Sequence, residues 1–162
     1  MHMKKKIETN FFCKSNHWPK RMIKIKKIVN NILKFENLGF KKKNFYFLNL
    51  IFMDDKKIKK INKKFRNKNQ PTDVLTFIKL LDQNQNQNQN QVYCDIFFSA
   101  DTIKKDTKKN LINFYDHLTH LIIHCFLHVN GYDHKKNSDF NKMKKLEEKI
   151  LMKLNIKNPY IL

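Results

Sequence analysis

Apolar residues recur along this chain with two spacings, one helical and one extended. Between Arg21 and Phe35 they fall at Met22, Ile23, Ile25, Ile28, Val29, Ile32 and Leu33, the three-and-four interval of a helix with one buried face. Gly39 follows as a stop. Phe45 to Met53 is a short β-branched and aromatic run that predicts a buried strand, and Asp54 and Asp55 after it offer an N-cap for a lysine-rich helix reaching about Arg66. Ile7 to Phe12, Val74 to Ile78 and Asp95 to Ser99 predict further strands, the first ended by a turn around Ser15, Asn16 and Pro19. Leu111 to Val129 predicts a long helix with a mostly apolar face. A last helix is expected from near Ser138, with Asn141 completing a poor capping box, through Leu146, Ile150 and Leu151 to Leu154. Gln83 to Gln91 alternates Gln with Asn, has nothing with which to build a core, and predicts a low-complexity loop over 83–91.

Four strands interspersed with helices, without regular alternation, predict an α+β fold: an approximately four-stranded mixed sheet packed with several helices. A length of 162 residues fits one domain spanning 1–162. The longest apolar runs, Phe45 to Met53 and Leu121 to Leu127, fall short of the roughly 20 residues a membrane span needs. The lysines of Met1 to Glu8 are not followed by a secretory pattern, so a cytoplasmic protein without a membrane partner is expected. Cys13, Cys94 and Cys125 are too few and scattered for a disulfide framework, and read as reduced thiols.

Charge changes this picture less than its size suggests. The formal net charge is +20, from 34 basic and 14 acidic residues, which points to a polyanionic partner such as nucleic acid. Yet Lys, Asn, Ile, Phe and Tyr are heavily used while glycine, alanine and arginine are nearly absent, the mark of codons drifting towards A and T. A lysine-enriched solvated surface and a selected RNA-binding face therefore both account for the charge. The drift makes its exceptions informative: two arginines (Arg21, Arg66), two glycines (Gly39, Gly131) and one alanine (Ala100) have resisted it.

Five of the seven histidines lie between His117 and His134. His124 and His128, four residues apart on a predicted helix, project from one face one turn apart. Gly131 then permits a sharp left-handed turn that returns His134 towards the pair. Three neutral imidazoles leave a tetrahedral zinc with one open position, as catalytic sites do, so the expected metal site is His124, His128 and His134 on a long helix plus the turn after it. His120, a further turn back, is read as an outer partner of a ligand or a capping hydrogen-bond donor, with a direct ligand role as a lesser reading, and His117 as a surface histidine. Asp133 either orients an imidazole or stabilises the turn. The spacing is also that of metzincin proteases, but these keep a glutamate after the first ligand where this chain has Cys125, so the metalloprotease alternative lacks its general base.

The stretch His120-Leu121-Ile122-Ile123-His124-Cys125-Phe126-Leu127-His128-Val129-Asn130-Gly131-Tyr132-Asp133-His134 closely resembles the signature of the bacterial YbeY family of rRNA-maturation endoribonucleases. The upstream run Phe65-Arg66-Asn67-Lys68-Asn69-Gln70-Pro71-Thr72-Asp73-Val74-Leu75-Thr76-Phe77 is similar to that family's second motif, and Cys94-Asp95-Ile96 and Asn158-Pro159-Tyr160-Ile161 to weaker marks. The resemblance implies one zinc per chain on His124, His128 and His134, and a catalytic and substrate-binding role for Arg66. It also implies cleavage of single-stranded RNA during rRNA maturation, at the 3′ end of small-subunit rRNA, in ribosome assembly and quality control. The implied partners are rRNA precursors and the small ribosomal subunit, with ribosomal proteins as further candidates. A bidentate guanidinium grips phosphate in a way lysine does not copy, which accounts for an arginine among so many lysines. Thr72 and Asp73 are read as shaping the turn into the following strand. Cys125 and Cys94 stand where the family usually has glycine. A reading from another class, a non-catalytic RNA-binding assembly factor with structural zinc, is separated from the enzyme by turnover.

Overall fold

The computed structural model describes residues 6–82 and 90–160. Its strands are β1 (Lys6–Cys13), β2 (Phe45–Met53), β3 (Val74–Asp82) and β4 (Asn90–Ser99). Its α-helices are α1 (Met22–Ile32), α2 (Asp55–Arg66), α3 (Ala100–Asn110), α4 (Phe114–Val129) and α5 (Asn137–Lys153). The chain forms two compact units, residues 1–22 with 40–110 and residues 23–39 with 111–162. The α+β class and the four-stranded mixed sheet are as the sequence predicts. Among the described residues no helix is long and apolar enough to cross a membrane.

The first unit holds the sheet, in the order β1-β2-β4-β3. β1, β2 and β4 run parallel, and β3 pairs antiparallel with β4. Register places Leu48 opposite Cys94, Leu50 opposite Ile96 and Phe52 opposite Phe98, so one face of β2 and β4 is continuously buried. Phe52 and Phe98 stack at 5.0 Å, and Trp18 lies 4.8 Å from Phe52 with its indole N–H donating to the Met53 carbonyl at 2.8 Å. On the other face Ile58 of α2 joins Met53 and Leu75 in a smaller core, flanked by Ile51, Ile61, Phe77 and Phe97.

Asp54 is the N-cap of α2, accepting from the Lys57 amide at 2.9 Å. Asp55 serves a different helix. Its Oδ1 accepts from the Ser99 hydroxyl at 2.6 Å and from the Thr102 amide at 3.1 Å, while Asp101 Oδ2 accepts from the Asp55 amide at 2.9 Å, so α2 and α3 cap each other. Helix α3 is absent from the sequence reading. Its buried positions Ala100, Ile103 and Thr107 keep helical spacing, but only one is a large apolar residue, and the lysines between them blur the period.

Several boundaries also shift. β3 continues past Ile78 to Asp82, and β4 takes in Asn90 and Gln91, the last residues of the tract expected to be loop. Extended pairing of Asp82 with Asn90 and Leu81 with Gln91 satisfies those backbones irrespective of side-chain type. The rest of that tract, 83–89, lies outside the described residues. Helix α4 starts at Phe114, three residues later than expected, because Asn113 caps it by accepting from the Tyr115 and Asp116 amides. Helix α5 has Lys136 at its N-cap with no side-chain cap, so the Ser138 and Asn141 capping box does not form.

The second unit consists of α1, α4 and α5 with a short 3-10 turn at Glu36–Leu38. Helix α4 packs against α5, and the 36–38 turn touches both. Lys24 of α1 places its ammonium 3.8 Å from the Tyr115 ring centroid on α4. The buried stripe of α5 is Met143, Glu147, Ile150 and Leu151, at helical spacing and with a carboxylate in one of its four places.

Candidate metal centre

Helix α4 is buried almost all round. From Leu118 to Val129 the positions that are not fully buried are His120, His124 and His128, a single stripe at four-residue spacing. Beyond its first turn the helix thus opens only along its histidines. It ends in a Schellman motif: the Tyr132 amide donates to the Leu127 carbonyl at 3.1 Å and the Gly131 amide to the His128 carbonyl at 3.0 Å. Gly131 has φ +89°, the left-handed conformation expected of it. Asn130 braces the corner, its amide donating to the Leu38 carbonyl at 2.7 Å and the Phe126 carbonyl at 3.0 Å.

This corner brings His134 back to the helix. Its ring centroid lies 5.0 Å from that of His128 and 5.5 Å from that of His124. One nitrogen from each of His124, His128 and His134 lies within 4.8 Å of the other two. His134 is the exposed member and the other two are half-buried, so the group opens on one side.

The hydrogen bonds decide which nitrogens are free. His124 Nδ1 donates to Glu147 Oε1 at 2.6 Å, and His128 Nδ1 donates to the Tyr132 carbonyl at 2.8 Å. Both partners only accept, so in the neutral rings both Nε2 atoms carry lone pairs. These face each other at 3.0 Å. Two lone pairs that close repel unless a cation lies between them. Two nitrogens on a tetrahedral ion at bond lengths of about 2.0–2.1 Å sit about 3.3 Å apart, so small ring rotations suffice to admit one. Burial, aided by His124 nearby, holds His128 below its ordinary pKa and keeps it in the neutral form that ligates. The site can hold a metal ion.

Behind the triad sits Glu147, fully buried. Its Oε1 accepts from His124, and its Oε2 accepts from His120 Nε2 at 3.0 Å and from the Tyr160 hydroxyl. Burial pushes the carboxyl up, but the bonds from His120, His124 and Tyr160 outweigh it and bring the pKa down to about 2. Burial and the same bond push the Tyr160 hydroxyl up. Glu147 was missed in the sequence reading, although a charged residue on the apolar stripe of α5 was the signal for it. His120 is a partner of this carboxylate, as an outer role requires. His117 is half-buried where a surface position was expected, because it lies seven residues before His124 near the same side of α4. Asp133 accepts from the His134 amide at 2.7 Å, which lowers its pKa and stabilises the turn, the second of its two readings; its carboxylate also acts through space on the His128 and His134 rings without a hydrogen bond to either.

Arg66 belongs to the first unit. It is the last residue of α2, exposed, with its guanidinium carbon 6.0 Å from the Phe77 ring centroid. Asp73 Oδ1 accepts from the Thr72 hydroxyl at 3.0 Å and the Val74 amide at 2.7 Å, shaping the entry to β3. Cys125, where a metzincin keeps its glutamate, is buried in α4.

Comparison with known proteins agrees with the motifs. The family model described as Endoribonuclease YbeY matches residues 12–155. A Bartonella quintana protein named Endoribonuclease YbeY is 40% identical over 113 residues, covering 70% of this chain and 71% of its own. One of the same name from Buchnera aphidicola is 34% identical over 158 residues, covering 96% of this chain and 95% of its own. The solution structure of a Thermotoga maritima protein, 23% identical, matches 91% of this chain and 92% of its own with a TM-score of 0.56, a likeness of fold. By the span of the family match and the identity to these relatives, this chain belongs to the YbeY family of endoribonucleases.

Proposed function

We propose that this protein is a zinc-dependent, single-strand-specific endoribonuclease acting in rRNA maturation at the 3′ end of small-subunit rRNA, with residues 1–162 working as one cytoplasmic domain. The observation that carries the reading is the convergence of His124, His128 and His134, with two Nε2 lone pairs facing each other at 3.0 Å. In this reading these three side chains hold one zinc per chain. When bound, zinc supplies a Lewis acid for a phosphoryl oxygen and makes water acidic near neutral pH.

The chain's own groups do the rest. Glu147 and the Tyr132 carbonyl orient His124 and His128, and burial keeps His128 unprotonated. Exposed His134 leaves one side open to a strand of RNA. Arg66 grips a substrate phosphate with its two-pronged guanidinium, and the surrounding lysines attract the polyanion. The family setting extends the partners to rRNA precursors, the small ribosomal subunit and ribosomal proteins.

Purified protein is expected to contain about one zinc per chain. His124→Ala should lose both the metal and cleavage of single-stranded RNA, and undiminished cleavage by metal-free protein would refute the mechanism. Arg66→Lys should weaken RNA cleavage through a raised KM, since lysine keeps the charge and loses the fork; an unchanged KM would leave Arg66 a solvated helix-end cation. If zinc-replete protein turned over no rRNA precursor, the non-catalytic assembly factor would replace the enzyme.

A further inference from the structure

Helix α5 carries a carboxylate in the middle of its buried stripe, and nothing in the packing of α5 requires it there. Met143, Ile150 and Leu151 fill the other places of that stripe. An apolar residue at 147 would join α4 to α5 at least as well, since burying a charge is costly unless every lone pair is used. Here each oxygen is used. Oε1 accepts from His124 Nδ1 at 2.6 Å, and Oε2 accepts from His120 Nε2 at 3.0 Å and from the Tyr160 hydroxyl.

The Tyr160 contact is itself built. Asn158 Nδ2 donates to Glu148 Oε1 at 2.9 Å, tying the chain after α5 back onto the helix. Asn158 Oδ1 then accepts from the Tyr160 amide at 2.9 Å, which sets the direction of the ring. The ring lies 5.7 Å from His120, centroid to centroid, and Lys144 covers it at 4.8 Å. Two sequence marks that do no chemistry at the triad, the charged residue on α5 and the Asn158-Pro159-Tyr160 run, therefore meet at one point behind His124.

We propose that Glu147 is the positioning residue of the metal centre. It holds His124 with Nδ1 protonated and Nε2 turned towards His128 and His134, while His120 and Tyr160 hold Glu147 in place. A carboxylate on the distal nitrogen also makes the imidazole a stronger donor to a cation. Of the three ligand candidates, His124 depends on this support most. His128 takes its orientation from the Tyr132 carbonyl, and His134 from the turn that Gly131 and Asp133 close. The inference rests on His124, His128 and His134 being the zinc ligands.

The test is a chelator-competition measurement of zinc affinity on the full chain, with the visible spectrum of the cobalt-substituted protein as a readout that loss of packing alone does not shift. Glu147→Gln keeps the shape and one acceptor but removes the charge, and is expected to weaken zinc binding about 10–100-fold and to alter the cobalt bands. Tyr160→Phe, which leaves α5 intact, should weaken it less and in the same direction. If Glu147→Gln does not fold, Tyr160→Phe decides alone. Zinc affinity within about twofold of the parent, with a parental cobalt spectrum in the folded variants, overturns the positioning role while leaving the triad in place. A parent chain that binds no zinc, or a His124→Ala variant that binds it as tightly as the parent, sinks the triad reading and this one together.

Discussion

Replacing Gly131 by alanine tests the corner on which the metal centre depends. An alanine Cβ at this position meets no atom within 4 Å, so steric clash contributes nothing. What remains is backbone. At φ +89° the residue is in the left-handed region, where a side chain costs roughly 1–2 kcal/mol. The loss of glycine's freedom in the unfolded chain returns about 0.4–1 kcal/mol of that. A net destabilisation of about 1 kcal/mol follows, and for a chain of this size that lowers Tm by about 2–4 °C. The assay is thermal unfolding of metal-free protein followed by circular dichroism, with Gly131→Asn as the control, because asparagine tolerates the left-handed region better than alanine. Gly131→Ala should melt below the parent and Gly131→Asn between them. With zinc present the gap should widen, because the strained turn positions His134 and a weakened ligand set binds the folded state less tightly. A metal-free Gly131→Ala protein melting at or above the parental temperature would refute the argument, since the corner would then not need its left-handed residue.

Asp54→Ala should lower the urea midpoint by the equivalent of about 1 kcal/mol through loss of the Lys57 amide bond at the start of α2, with Asp54→Asn retaining most of the stability; equal midpoints for parent and alanine variant would count against the cap. The acid limb of stability should follow Glu147, whose carboxyl falls from its ordinary 4.5 to about 2 on folding. A depressed folded pKa contributes stability above pH 4.5 that is lost as pH falls towards 2, here about 3 kcal/mol. Urea unfolding of metal-free parent and Glu147→Gln from pH 7 downwards should show their difference shrinking below pH 4.5, and a gap that stays constant to pH 3 would show that the buried charge contributes nothing.

The sequence made β2 and α2 legible because their signals are local: an apolar run with a cap immediately after it. The histidine triad was legible for the same reason, since a four-residue interval and one glycine place all three rings. What stayed hidden joins distant segments. Asp55 and Asp101 cap each other's helices across 46 residues, and Glu147 reaches His124 across 23, and no spacing rule covers either. Helix α3 was lost for a different reason. Four lysines among its polar positions and Ile103 as its one large buried apolar residue leave little of the contrast on which periodicity depends.

The two glycines share a backbone reason for their place. Gly39 and Gly131 both have positive φ, +82° and +89°, where most side chains strain the backbone. Cys94 and Cys125 stand where the family resemblance leads one to expect glycine, yet neither is among the positive-φ residues. One lies within β4 and the other within α4, both buried, in conformations any L-residue adopts. Backbone geometry demands no glycine at those two places, and a small apolar thiol packs there. Both glycines of the chain thus sit where backbone geometry favours that residue, and one of them is the corner that turns His134 towards His124 and His128.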